Sequence, residues 1–254
     1  MSKARYVTGL RAVEQLLSQP AAEITRLYAE YQTANSRVES IIAQANSRGI
    51  EIQAANRARL QQISGEIRHQ GVVAEIRRSE ILDEGALRSL VENKLTDGDG
   101  PPLLLLVLDG IQDTHNLGAC LRTADAAGVD AVVVPRHGAA SLGPTVSKVA
   151  AGAAETIPFA SVANIGKVLA WLVDYGVTAV GTSDSADSTI FDCDLQRPLA
   201  LVMGREQSGL RNNVARRCDE LVSLPMQGAV SSLNVSVATG ICLYEVLRQR
   251  QRAG

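Results

Sequence analysis

Six consecutive apolar residues at 103–108, Leu-Leu-Leu-Leu-Val-Leu, constrain this chain more than any other feature. A run of that length without polar alternation predicts a strand buried on both faces. Such strands belong to parallel sheets covered by helices on either side. The run is far too short to cross a bilayer. A polar stretch follows, then a helix expected over 116–127 and closed by Gly128, then a second buried strand at 131–134. The alternation continues: helices near 145–151 and 165–175, strands at 177–181 and 199–203, a helix near 210–217, a strand at 221–224, and a long helix over 234–251. This pattern is α/β with a mostly parallel sheet.

The first third reads as a separate small α/β domain. Helical spacing of Leu10, Val13, Leu16 and Leu17 is followed by a strand at 24–29. A helix at 37–48 ends at Gly49, and a short strand spans 50–53. Asn56 is suited to cap a helix reaching about residue 63, before a strand at 71–76. A short helix is expected over 81–95, and the turn-rich stretch 96–102 reads as a link. The expected organisation is a first domain over 1–78, a linker over 79–102 and a second domain over 103–254.

Charge is informative only when divided. The net charge of −2 is neutral on nucleic acid. Residues 1–80 hold 11 Lys and Arg against 8 Asp and Glu, and all but one of those cations are Arg. Arginine suits two-pronged contacts to phosphate. Aromatic residues are only 3% of the chain, which leaves few platforms for stacking bases. The four cysteines form no CxxC unit and none neighbours a histidine at ligand spacing, so neither a disulfide framework nor a metal site is expected and a reducing cytoplasmic setting fits. The first ten residues lack the apolar core of a secretion signal.

Three segments of the second domain carry chemistry. The first, 109–125, leaves the first buried strand and holds Asn116 and Arg122; strand ends of this kind are where open α/β sheets bind ligands. The second, 201–210, runs from a strand into a loop flanked by Gly204 and Gly209 with a single acid, Glu206. It matches neither GxGxxG nor GxxxxGK[ST], so neither a dinucleotide fingerprint nor a P-loop is present. The third, 224–240, places Ser232 and Asn234 before a helix that opens with small residues, where either side chain is suited to cap it.

In their order and spacing these segments resemble the three motifs of the SpoU-type methyltransferases, across the whole of 103–251. Residues 6–14 and 69–74 resemble the L30e-like substrate-binding domain that precedes the catalytic domain in that family. The stretches 115–128 and 231–244 are most similar to the branch that methylates a guanosine of 23S ribosomal RNA. The resemblance implies a parallel sheet with a C-terminal trefoil knot, S-adenosyl-L-methionine as cofactor, a homodimer with the RNA site at the subunit interface, and 2′-O-methylation of a ribose. Position by position, it implies catalytic roles for Asn116, Arg122, Glu206, Ser232 and Asn234. It implies cofactor contacts at Gly181, Thr182, Met203, Gly204, Leu224, Met226, Ser232 and Leu233. It implies no metal and no membrane partner. The chain departs from the motifs at Thr114, where proline is usual, and at Arg205, Gln207 and Ser208. A transfer RNA target and a non-catalytic role in ribosome assembly are the alternatives; the missing dinucleotide motif argues against an oxidoreductase. A fragment over 97–254 is expected to keep cofactor binding and lose activity on ribosomal RNA.

Overall fold

A computed structural model of the chain describes residues 5–18, 24–30, 35–65, 67–76, 81–97, 100–205 and 208–253. The chain divides into two compact units, Met1–Ser79 and Glu80–Gly254.

The first unit runs β1 (Arg5–Thr8), α1 (Leu10–Ser18), β2 (Ile24–Glu30), α2 (Ser36–Ser47), β3 (Glu51–Ala55), α3 (Arg57–Ser64) and β4 (Val72–Ile76). Its sheet has the order β1-β4-β2-β3, with β4 antiparallel to both neighbours and β2 parallel to β3. Asn56 caps α3 as expected, accepting from the Arg59 amide at 2.8 Å, and Gly65 ends the helix at φ +71°. Leu10, Val13, Leu16 and Leu17 of α1 pack with Val38 and Ile41 of α2 and with Leu27 and Ala74 of the sheet. Leu60 of α3 packs with Tyr28 and Val73 in a second cluster.

The second unit opens with α4 (Glu84–Thr96), capped by Asp83 accepting from the Ala86 amide at 2.8 Å. This helix lies in the stretch expected to be a linker, yet its Leu87 and Val91 are fully buried with Leu103, Leu105 and Val107. A fragment beginning at 97 would strip that packing, so a fragment of this unit has to begin near residue 80.

Then follow β5 (Leu104–Leu108), α5 (Thr114–Ala126), β6 (Ala131–Pro135), α6 (Pro144–Ala150), α7 (Ala153–Thr156), β7 (Phe159–Val162), α8 (Ile165–Asp174), β8 (Thr178–Thr182), β9 (Ser188–Thr189), β10 (Leu199–Met203), α9 (Asn212–Ala215), β11 (Glu220–Ser223) and α10 (Val235–Ala253). The strands form one sheet, β7-β6-β5-β10-β8-β11-β9, and every pairing in it is parallel. The two-residue period of β5 explains its unbroken apolar run. Leu104, Leu106 and Leu108 face a layer with α5, α6 and α10, while Leu105 and Val107 face α4 and α8. From β5 the chain builds outward through β6 and β7, then returns to place β10 on the other side of β5. The order of the sheet therefore reverses between β5 and β10, where open α/β sheets form a ligand crevice at the strand carboxyl ends.

Two details differ from the sequence expectation. Helix α5 starts two residues before Asn116, because Asp113 caps it and accepts from the His115 amide at 2.8 Å. Asn116 is thus inside the helix and its side chain is released from capping. Strands β1, β7 and β9 were not expected; β1, β7 and β9 are all edge strands.

At the amino ends of the central strands, α10 is locked by one side chain. The Arg250 guanidinium donates to the carbonyls of Pro102 (2.6 Å), Leu103 (3.1 Å), Arg197 (2.9 Å) and Leu195 (3.3 Å). It thereby gathers the amino ends of β5 and β10.

Candidate active site

The crevice is framed by an ion pair between a buried carboxylate and a part-buried arginine. Asp109, directly after β5, is fully buried, and its amide donates to the Met203 carbonyl at 2.8 Å. Its carboxylate accepts from the Arg211 amide at 2.9 Å, from Arg211 Nε at 2.7 Å and from Arg211 Nη2. The loops after β5 and β10 are held as one piece by these bonds. Sequence reasoning did not single out Asp109 or Arg211; the available signal was an acid placed immediately after a strand with no solvent-facing side.

The loop after β10 turns tightly. Arg205 and Gly209 exchange backbone hydrogen bonds at 3.0 and 3.1 Å, and Gly209 sits at φ +61°. A Cβ on Gly204 would lie 2.3 Å from the Gly209 carbonyl carbon and 2.4 Å from the Leu210 nitrogen. Only glycine allows the two arms of this loop to meet. Glu206 and Gln207 lie outside the described residues.

The structure brings together two of the expected catalytic residues. Asn234 Nδ2 donates to Asn116 Oδ1 at 3.0 Å, linking positions 118 apart in sequence. Asn234 also caps α10, its Oδ1 accepting from the Ser236 amide at 2.9 Å and the Ser236 hydroxyl at 2.6 Å. Deeper in the same helix contact, Cys120 Sγ lies 3.6 Å from Thr239 Oγ1. Arg122 is exposed on α5 and pairs with no described residue; Ser232 is exposed before α10. Neither is joined to the asparagine pair within this chain.

Six of the eight positions expected to hold a cofactor lie at the carboxyl ends of three neighbouring strands, and the other two, Ser232 and Leu233, precede α10. Gly181 and Thr182 end β8, Met203 and Gly204 end β10, and Leu224 and Met226 follow β11. Met203 is buried, and Leu224, Met226 and Leu233 are half-buried, which gives an apolar wall. The Thr182 hydroxyl donates to the Val202 carbonyl at 3.3 Å. Gly181 has a packing role of its own: a Cβ there would lie 2.7 Å from Cys218 Sγ and 2.8 Å from Leu210 Cδ1. Burial pushes the Cys218 thiol up to about 12. Among the described residues no group of three or more His, Cys, Asp or Glu is placed to hold a metal ion, and no helix is long and apolar enough to cross a membrane.

Comparison with known proteins matches both units. Residues 103–244 match the model of the SpoU rRNA Methylase family, and residues 6–82 match that of RNA 2'-O ribose methyltransferase substrate binding. The 23S rRNA (guanosine-2'-O-)-methyltransferase RlmB of Coxiella burnetii is 44% identical over 251 residues, covering 99% of this chain and 98% of that protein. The protein of the same name from Pseudomonas aeruginosa is 46% identical over 250 residues, 98% of each. An AdoMet-bound rRNA methyltransferase from Sinorhizobium meliloti has the same fold, with a TM-score of 0.69 and 27% identity over 96% of this chain and 87% of that one. A reversed parallel sheet, a crevice loop that only glycine permits, an Asn116–Asn234 bond at its rim and matches over both units lead to one conclusion: the chain belongs to the SpoU rRNA methylase family.

Proposed function

We propose that this protein transfers a methyl group from S-adenosyl-L-methionine to the ribose 2′-hydroxyl of a guanosine in 23S ribosomal RNA, in the peptidyl-transferase loop. The observation that carries the reading is identity of 44–46%, over 98–99% of the chain, to curated enzymes of that name. The residues present fit the cofactor: the apolar wall of Met203, Leu224, Met226 and Leu233 suits an adenosyl group, and the glycines at 181 and 204 bring backbone rather than side chains to the strand ends. Ser232 and Thr182 add hydroxyls at the rim. When bound, the cofactor supplies an activated methyl on a sulfonium, so no Lewis acid is required. We therefore expect transfer to be insensitive to chelators.

The chain's own work is alignment and charge. Asn116 and Asn234, held together at 3.0 Å, fix the helix starts around the target ribose, with Ser232 and Glu206 completing the polar set. Arg122 stays cationic in ordinary settings, which makes it a poor proton acceptor. On this reading it grips a phosphate of the target nucleotide and stabilises charge developing on the ribose oxygen.

The site is completed by a second copy of the chain. Val237, Ile241 and Tyr244 lie exposed on α10 at helical spacing and form an apolar stripe beside α5, the helix that carries the exposed Arg122. A homodimer through this stripe covers it and gives Arg122 a partner site. The same reading includes the trefoil knot of the C-terminal segment, a cytoplasmic location and RNA capture by the first unit.

The test is methyl transfer from labelled cofactor to 23S, 16S and transfer RNA from a strain lacking the protein, with mapping of ribose methylation. A single 2′-O-methylguanosine in 23S RNA is the expected result. Methylation of transfer RNA alone would overturn the substrate, and cofactor binding without transfer to any RNA, ribosomal precursor particles included, would overturn the activity.

A further inference from the structure

One cation at the crevice has no role in the reading above. Arg205 follows Gly204 at the end of β10, and its guanidinium lies against the backbone of two other loops. A Cβ on Gly110, which sits at φ +88°, would come 2.8 Å from Arg205 Nε and 3.2 Å from Nη2. A Cβ on Gly138, at φ +74°, would come 3.9 Å from the same Nη2. Gly110 leaves room for the side chain to extend across the carboxyl end of β5, towards Gly138 beyond β6.

Arg205 Nε is buried with no hydrogen-bond partner, and the guanidinium pairs with no described residue. An arginine presents five N–H donors, and a buried donor left unmatched carries a desolvation cost. The neighbouring carboxylates already have partners. Asp109, next to Gly110, accepts three N–H groups of Arg211 and none from Arg205. Asp113, further along the same loop, is occupied as the cap of α5.

Nε itself is closed off from solvent, but the residue is only half-buried, and direction points to an acceptor for its outer N–H groups. Arg205 reaches towards β5 and β6, whereas the proposed cofactor positions run from Met203 and Gly204 at the end of β10 to 181–182 at the end of β8 and 224–226 after β11, on the other side of β10. Arg136 and His137, both exposed, immediately precede Gly138 and add donors to the same corner. We propose that Arg205 is a positioning residue for the RNA substrate, its fork receiving a backbone phosphate on the half of the crevice away from the cofactor. This inference rests on the RNA methyltransferase reading. A phosphate held in this way, two-pronged and charge-assisted, sets the register of the strand relative to the ribose that Arg122 addresses.

The test compares the full-length protein with Arg205→Ala and Arg205→Lys on a 23S RNA fragment containing the target loop. For Arg205→Ala, KM for RNA should rise about tenfold or more while kcat changes less than about threefold, the signature of lost uniform binding. Cofactor affinity by calorimetry should be unchanged. The slope of log affinity against log salt should shrink by about 0.7–0.9, one phosphate contact. Arg205→Lys, which keeps the charge and guards against a folding defect in the alanine variant, should recover part of the RNA affinity. Unchanged RNA KM and salt slope would overturn the proposal, as would a loss confined to cofactor binding; full recovery in Arg205→Lys would overturn the two-pronged contact. Failure of the wild-type protein to methylate any RNA would instead overturn the underlying reading.

Discussion

At the scale of single residues, the site separates side chains that hold the crevice from those that act in it. Asp109 and Arg211 hold it. Removing the carboxylate leaves the part-buried Arg211 guanidinium without its anion, and Asp109→Ala should lower stability by about 3–5 kcal/mol in urea unfolding. On the proposed reading Arg122 acts in the crevice, and within the fold it pairs with no described residue. Arg122→Lys keeps the charge and loses the fork, so kcat should fall at least about tenfold with melting temperature unchanged; near-full activity would mean that a point charge suffices. The thiols report burial. Cys193, Cys218 and Cys242 are pushed up to about 12, chiefly by desolvation, with the Glu220 carboxylate adding to the effect at Cys193. They should resist iodoacetamide at pH 8 in the folded protein. Each pKa is raised on folding, so the stability tied to these protonated thiols is present below about pH 8.5 and is lost as pH climbs towards 12. A melting temperature that holds constant from pH 8 to 11 would contradict that burial. The residues proposed to act could be named from the sequence because their motifs are long. The Asp109–Arg211 pair was not, because it joins positions 102 apart that only the return of the chain to β10 brings together.

At the scale of elements, periodicity carried most of the fold. Helices α1, α2, α5, α8 and α10 and strands β5, β6, β8 and β10 lie within a few residues of where apolar spacing and caps put them. What escaped were edge strands. β1, β7 and β9 have two to four residues and one flanking strand each, so their pattern is set by the neighbour they join and hardly by their own composition. The start of α5 was expected two residues late because Asp113, three residues before Asn116, caps the helix. Helix pairing was visible only as a glycine. A Cβ on Gly118 would lie 2.7 Å from Val149 Cβ and 2.9 Å from the Val146 carbonyl, where α5 crosses α6. Gly118→Ala forces the two helices apart and should cost about 1–3 kcal/mol, the usual penalty of overpacking. Because α5 also carries Asn116, the variant should lose activity even where it remains folded.

At the scale of the whole molecule, the proposed function gives the two units separable duties. A chain beginning at residue 80 keeps α4 and the full sheet, and should bind the cofactor with near wild-type affinity while losing activity on ribosomal RNA; full activity of that fragment would remove RNA capture from the first unit. The exposed stripe on α10 belongs to this scale as well. Tyr244→Asp places a charge in it and should yield a monomer in light scattering, with methyl transfer lost in parallel. Arg250 has a consequence of another kind. The strand β5 begins the sheet, yet the guanidinium that gathers its amino end is 147 positions later. At about 5–20 residues per second, the ribosome needs roughly 7–30 s to make that interval. For that time the first unit is free to fold, while the strands that will form the crevice wait in the growing chain without their clasp. The emerging protein therefore presents the first unit, to which RNA capture is proposed, well before it can present a finished crevice.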